Sequence, residues 1–182
     1  MSNLVILFAL LAISFGQRNF ITVEGTKLMD GTTEYTFLGT NLWWGANVAY
    51  ELMLDPSKTR IDEELQLLSD LGIKNLRIMA GSQGPNTNRN QMRPNLEPSK
   101  GEWDLDMWDG LDYLLQKMGE HDMRAVVAMS NFWDWSGGFE QYLKWEGIST
   151  PDAYDFYSHS GAMDSYLNFV EHLVTKINSK TG

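Results

Sequence analysis

The stretch LGIKNLRIMAG, residues 71–81, decides the fold. Leu71 closes a helical period in which Ile61, Leu65, Leu68 and Leu71 share one face. Thr59 and Asp62 make a capping-box-like start to that helix, and Gly72 follows its last turn. Only Gly72, Ile73 and Lys74 intervene before residues 75–80, which read as a near-continuously apolar strand. A strand entered this directly from an amphipathic helix predicts an alternating α/β chain. The alternation repeats downstream. Trp108, Leu111, Leu115 and Met118 share a second helix face, with Asp104 or Asp106 as cap, and residues 125–129 are the next strand. A third helix carries Met163, Leu167, Val170, Leu173 and Ile177 and ends in polar NSKTG.

Upstream, residues 20–23 and 35–38 are β-rich runs around the turn signal Asp30-Gly31, which predicts a small hairpin. After it the order is β-α-β-α-β-α. Apolar strands separated by helices imply a parallel sheet covered on both faces, in a barrel or a doubly wound sheet. No Gly-x-Gly-x-x-Gly turn follows a strand and no phosphate loop occurs, which removes the main nucleotide-binding signatures.

Composition narrows the function classes. The chain has 182 residues, 43% of them hydrophobic and 21% charged, enough for one globular domain. A formal net charge of -10 argues against nucleic acid or an anionic membrane as partner and fits a neutral ligand. There is no cysteine, so disulfides, thiolate metal sites and cysteine nucleophiles are excluded. Residues 4–15, LVILFALLAISF, are too short to span a bilayer but have the length of a signal-peptide core. Ser14 and Gly16 place small residues for cleavage before Gln17. The expectation is therefore a leader over residues 1–16 and a secreted chain over residues 17–182; the other reading of the run is a buried N-terminal strand.

The segments after the strands are long, residues 81–101 and 131–160, whereas those leading into strands are short. In parallel α/β folds the functional face lies at the strand C-termini, so the elaboration falls on one side. Five of the seven tryptophans follow the first and third strands: Trp43, Trp44, Trp133, Trp135 and Trp145. A pyranose has an apolar C–H face and a rim of hydroxyls, which flat aromatic rings with polar neighbours complement. Asn41, Asn131, Asp134 and Gln141 offer hydrogen bonds to that rim. Some of the rings are expected to form a satellite core under the loop instead.

Arg77 stands in the middle of an apolar strand, where a buried guanidinium must face carboxylates. It serves either to hold a catalytic carboxylate ionised or as a structural ion pair. His121 lies in the turn before the third strand, opposite the loop face. His159 and His172 lack partners at metal spacing, so no metal site or cofactor is expected. Glu51, Glu97, Glu102, Asp134, Glu140 and Glu146 are the carboxylates of the loop face. None stands at an apolar strand end, and each reads as a solvated charge rather than half of a glycosidase pair.

The motifs FLGTNLWWG (37–45), NLRIMAGSQGPNT (75–87), GLDYLLQKMGEHDMRAVVAMSNFWDWSGGFEQYLKW (110–145) and INSKTG (177–182) resemble the secreted endo-β-1,4-mannanases of glycoside hydrolase family 5. The resemblance implies a (β/α)8 barrel, of which the hairpin and about three βα units are present. It implies retaining hydrolysis of internal β-1,4-mannosidic bonds by two glutamates, with β-mannan or manno-oligosaccharides as substrate. It makes Arg77 the arginine near the nucleophile and His121 a second supporting residue. It assigns Trp44, Asn131 and Trp133 to the cleft, with Trp43 and Trp135 beside them. The family carries its acid/base in an Asn-Glu motif after the fourth strand and its nucleophile after the seventh. No Asn-Glu pair occurs here, so both catalytic residues are expected beyond Gly182 and the chain alone is expected to be inactive. A cellulase-like β-glycanase and a non-catalytic carbohydrate binder are the alternatives.

Overall fold

The computed structural model describes residues 20–182, so the expected leader lies outside the described residues. The chain divides after Thr36 into two compact units. The first is an antiparallel meander of β1 (Ile21–Glu24), β2 (Lys27–Asp30) and β3 (Thr33–Glu34). The expected turn at Asp30-Gly31 joins β2 to β3, and a second turn at Gly25-Thr26 joins β1 to β2. The run 35–38, expected as a strand, forms none; pairing resumes at Gly39.

The second unit begins with β4 (Gly39–Asn41), followed by α1 (Gly45–Leu54) and α2 (Arg60–Asp70). Then come β5 (Asn75–Met79), α3 (Leu105–Glu120), β6 (Arg124–Ala128), α4 (Gly138–Trp145) and α5 (Ser160–Thr175). Single 3₁₀ segments precede α4 and α5, at Asp134–Ser136 and Ala153–Ser158. The sheet is parallel, as the α/β alternation predicts, and its strands stand in the order β4-β5-β6. Asn41, Arg77 and Val126 stand in one register row across it.

The expectation of cover on both sheet faces is corrected. Leu76 and Ile78 are fully buried, in a core with Ile61 and Leu65 of α2 and Met107, Leu111 and Leu114 of α3. Each buried Leu or Ile there contributes about 2 kcal/mol. The alternate residues Asn41, Arg77 and Val126 are exposed on the opposite face. A period of two in a strand separates these sets, and a run read as continuously apolar hides it.

Helix starts follow local chemistry in part. The Asp104 carboxylate accepts the Met107 N–H at 3.0 Å and caps α3. Thr59 precedes α2, but its hydroxyl bonds Glu63 at 2.7 Å rather than the backbone. Helix α1, which the period reading missed, lies against α3 where Gly110 has no side chain: a Cβ there would meet Tyr50 N at 2.8 Å. In α5 the buried stripe is Ala162, Ser165 and Phe169, whereas Leu167 and Ile177 of the expected face are exposed. Small residues carry little weight in a hydrophobic pattern, yet they allow the closest packing. After α5 the chain is tied back to α3. Buried Asp112 accepts from Lys176 and, at 2.8 Å, from the Ser179 N–H. Lys180 pairs with Asp109 at 2.7 Å.

Candidate functional site

The two long loops meet at the C-terminal ends of the strands and are sewn to each other. Met92 donates its N–H to the Trp135 carbonyl at 2.6 Å, and Gln91 Nε2 donates to the Asp134 carbonyl at 2.6 Å. The Gln83 N–H reaches the Ser136 carbonyl at 3.1 Å. These bonds satisfy backbone groups that a loop would otherwise leave to water. They also explain the Gly-Gly pair. Gly137 has φ +84°, and a Cβ on it would overlap the Gln83 carbonyl oxygen. At Gly138 a Cβ would crowd the Trp133 carbonyl oxygen at 2.6 Å. Only glycine allows both the positive φ and the approach of the second loop.

So anchored, Trp135 meets Trp43 of the β4–α1 connection edge to face, with ring centroids 5.1 Å apart. Trp43 is 41% exposed. Trp133 stands out further, at 66%. Asn131 Oδ1 accepts the Trp133 N–H at 3.3 Å, and the Asn131 carbonyl accepts from Phe139. Trp43 and Trp135 therefore meet on the loop face, and Asn131 and Trp133 belong to the same loop as Trp135. Trp44 is not with them. Its ring packs against the main core and lies under the Arg60 guanidinium at 4.6 Å. Of the expected rim residues, Gln141 is buried against Gly84.

The aromatic stretch after β6 is only partly exposed. The sequence shows no period there, yet residues 138–145 form α4. Tyr142 and Leu143 are buried in a satellite core with Phe156 and Ala162, and Phe139 and Trp145 pack on it. Phe139 stacks on Phe156 at 4.2 Å. The spacing of Phe139, Tyr142 and Leu143 after a double glycine was the available helix signal.

Arg77 departs from expectation. It is exposed on the uncovered sheet face, and among the described residues no carboxylate pairs with it. With Asn41, Asn75 and Phe37 it lines an open cavity of about 420 Å³. His121 is the residue after α3, half-buried in the turn into β6 and at the opposite end of the strands from the tryptophans. Among the described residues no group of three or more metal-ligating side chains comes together.

Glu97 also departs from the reading as a solvated charge: it is fully buried. Its Oε1 accepts the Gly101 N–H at 2.8 Å. Among the described residues its Oε2 and the buried Tyr142 hydroxyl have no hydrogen-bond partner. Burial pushes the Glu97 carboxyl up to about 7, against the opposing pull of the Gly101 N–H and Lys100. Lys100 itself pairs with Glu146 at 2.6 Å. Nothing in the local sequence around Glu97 signals this burial, because the loop over it is closed by residues distant in the chain.

Comparison with known proteins accounts for the one-sided helical cover. A family model described as GH family 5 beta-mannosidase-like matches residues 18–182. A glycoside hydrolase family 5 mannosidase from Rhizomucor miehei has 32% identity and a TM-score of 0.79, over 90% of this chain and 44% of its own. An endo-beta-1,4-mannanase from Thermotoga petrophila has 25% identity and a TM-score of 0.67, over 83% of this chain and 32% of its own. Mannan endo-1,4-beta-mannosidase 4 of Solanum lycopersicum is 27% identical over 173 residues, 92% of this chain and 40% of its length. The chain thus spans less than half of each. The structural neighbours are (β/α)8 barrels, and the parallel sheet with its helices is part of one. In that architecture the row Asn41, Arg77 and Val126 belongs to the inward layer. Because the match reaches from before the first strand to the last residue, the chain belongs to glycoside hydrolase family 5, among its β-mannosidase-like members.

Proposed function

We propose that this chain forms part of the catalytic barrel of a secreted endo-β-1,4-mannanase. The observation that carries the reading is the Trp43–Trp135 pair at the C-terminal ends of parallel strands, where barrel enzymes hold their substrates. The pair, with Asn131 and Trp133, makes one wall of a groove for a neutral glycan. The relatives named as mannan endo-1,4-beta-mannosidases support mannan as that glycan. Trp44, engaged with Arg60, is a structural ring beneath the wall rather than part of it.

Hydrolysis with retention requires an acid/base glutamate and a nucleophile about 5 Å apart. Residues 1–182 do not supply that pair, which the family places after later strands. Arg77 faces the barrel interior, where its guanidinium would hold a neighbouring nucleophile ionised. His121 supports the layer from the far end of the strands. Catalytic chemistry then belongs to the chain extended through the whole barrel. A non-catalytic binder is the second reading, favoured by both rings of the Trp43–Trp135 pair lying within this chain.

The test incubates the 182-residue chain, and a chain extended through the remaining barrel, with β-1,4-mannan and with cellulose, scoring new reducing ends and retention. New ends from mannan with the extended chain alone are expected. Hydrolysis by the short chain overturns the assignment of the catalytic pair. Cleavage of cellulose but not mannan overturns the substrate. Retention on mannan with no cleavage by either chain selects the binder.

A further inference from the structure

Two of the most exposed rings of the second unit, both more exposed than either member of the Trp43–Trp135 pair, share one mount. Trp133 is 66% and Tyr154 is 70% exposed. They come from segments about twenty residues apart but are mounted on one support. The Phe132 ring lies between them, edge to face with Trp133 at 5.4 Å and with Tyr154 at 5.1 Å. Phe132 in turn rests on Phe139, which stacks on buried Phe156. Each exposed ring also has its backbone fixed. The Trp133 N–H donates to Asn131 Oδ1, and the Tyr154 N–H donates to Asp152 Oδ1 at 3.0 Å. Water-exposed aromatic rings held this firmly are costly unless a ligand covers them.

We infer that Tyr154, carried by Phe132 beside Trp133, is a further saccharide platform that takes a hexopyranose unit beyond the one met by the Trp43–Trp135 pair. This rests on the mannan-directed reading above and extends it to a residue that reading does not use. Ring and backbone are pre-positioned, so a sugar face docks with little loss of side-chain freedom. Asp134, Asp152 and Asp155 are exposed around the rings. Their carboxylates accept hydrogen bonds from sugar hydroxyls and repel anionic polymers. The same acidic rim on a chain of net charge -10 disfavours a second copy as the occupant. The ligand class is accordingly a neutral β-linked glycan long enough to reach from the wall to Tyr154. Length-dependent affinity is the property that such a platform confers, because the second contact is intramolecular once the first is made.

The experiment titrates the chain with mannobiose and with mannohexaose by tryptophan fluorescence, for wild type, Tyr154→Ala and Tyr154→Phe, with sedimentation velocity on each. Wild type is expected to bind mannohexaose more tightly. Tyr154→Ala is expected to lose about fivefold on mannohexaose and nothing on mannobiose, while Tyr154→Phe keeps the ring and the affinity. Tyr154 is exposed, so thermal melting of both variants should match wild type, and the Phe variant separates ring loss from misfolding. Equal mannohexaose affinity in Tyr154→Ala and wild type overturns the platform and leaves the mannan reading standing. So does an equal loss on both sugars. A loss in Tyr154→Phe as large as in Tyr154→Ala overturns the ring-face contact. Altered sedimentation of Tyr154→Ala with unchanged sugar affinity assigns the patch to a second copy. Binding of neither sugar by wild type sinks the mannan reading, and the platform with it.

Discussion

Trp43 and Trp135 meet edge to face at 5.1 Å although they follow different strands and lie on loops with no common local signal. Met92 and Gln91 hold the Trp135 side of the pair through its backbone, from a third loop. The wall is thus assembled by tertiary contact at the strand ends, and its parts depend on one another.

Removing one ring should weaken the wall without unfolding it. Trp43→Ala, at a partly exposed ring, is expected to cost about 1 kcal/mol of manno-oligosaccharide binding, roughly fivefold in affinity. Isothermal titration of the chain checks this, with circular dichroism confirming an unchanged fold. Trp44→Ala should instead lower the melting temperature, because that ring packs on the core under Arg60.

Gly137→Ala should be far more damaging than an ordinary glycine change. Positive φ and overlap with the Gln83 carbonyl act together. A loss of more than about 2 kcal/mol is expected. Urea denaturation measures it, and Trp135 fluorescence should shift as the loops part. A stability within experimental error of wild type would contradict the close approach of the loops.

Glu97 should give stability a pH dependence of unusual sign. Its folded carboxyl titrates near 7, above its ordinary value of 4.5. Between those values the folded state keeps a proton that the unfolded chain has lost. Stability therefore falls as pH rises through that window, and the contribution levels off above it. His172, stacked on Trp103 at 4.2 Å, runs the other way: burial lowers its pKa, so its contribution is lost as pH falls below the ordinary histidine value. Glu97→Gln keeps the shape and removes the first effect. Melting temperatures of wild type and Glu97→Gln across the window should converge at its acid end and diverge toward its upper end.

Asp112 anchors the segment after α5 to α3 through Lys176 and the Ser179 N–H. Asp112→Ala leaves the Lys176 ammonium and that N–H without their acceptor and should cost about 3 kcal/mol. Chemical denaturation reads the loss, and limited proteolysis should cut first near Ser179. Asp112→Asn, which retains an acceptor oxygen, should lose less.

The residues by themselves determined the α/β alternation, the parallel sense of the strands, a carboxylate cap at Asp104 or Asp106 and the side on which the loops gather. Each of these follows from a period, a cap or a loop length read within about twenty residues. They also carried the motifs by which the chain resembles its family. Which ring joins Trp135 was not local. Trp43 and Trp44 are neighbours in sequence, yet one meets Trp135 and the other lies under Arg60. The same holds for Arg77, expected to be buried and found exposed on the open sheet face, and for Glu97, expected in solvent and found buried. Tertiary structure decided these because a side chain's surroundings are set by which distant segments close over it, and the sequence around a residue does not state what those segments are.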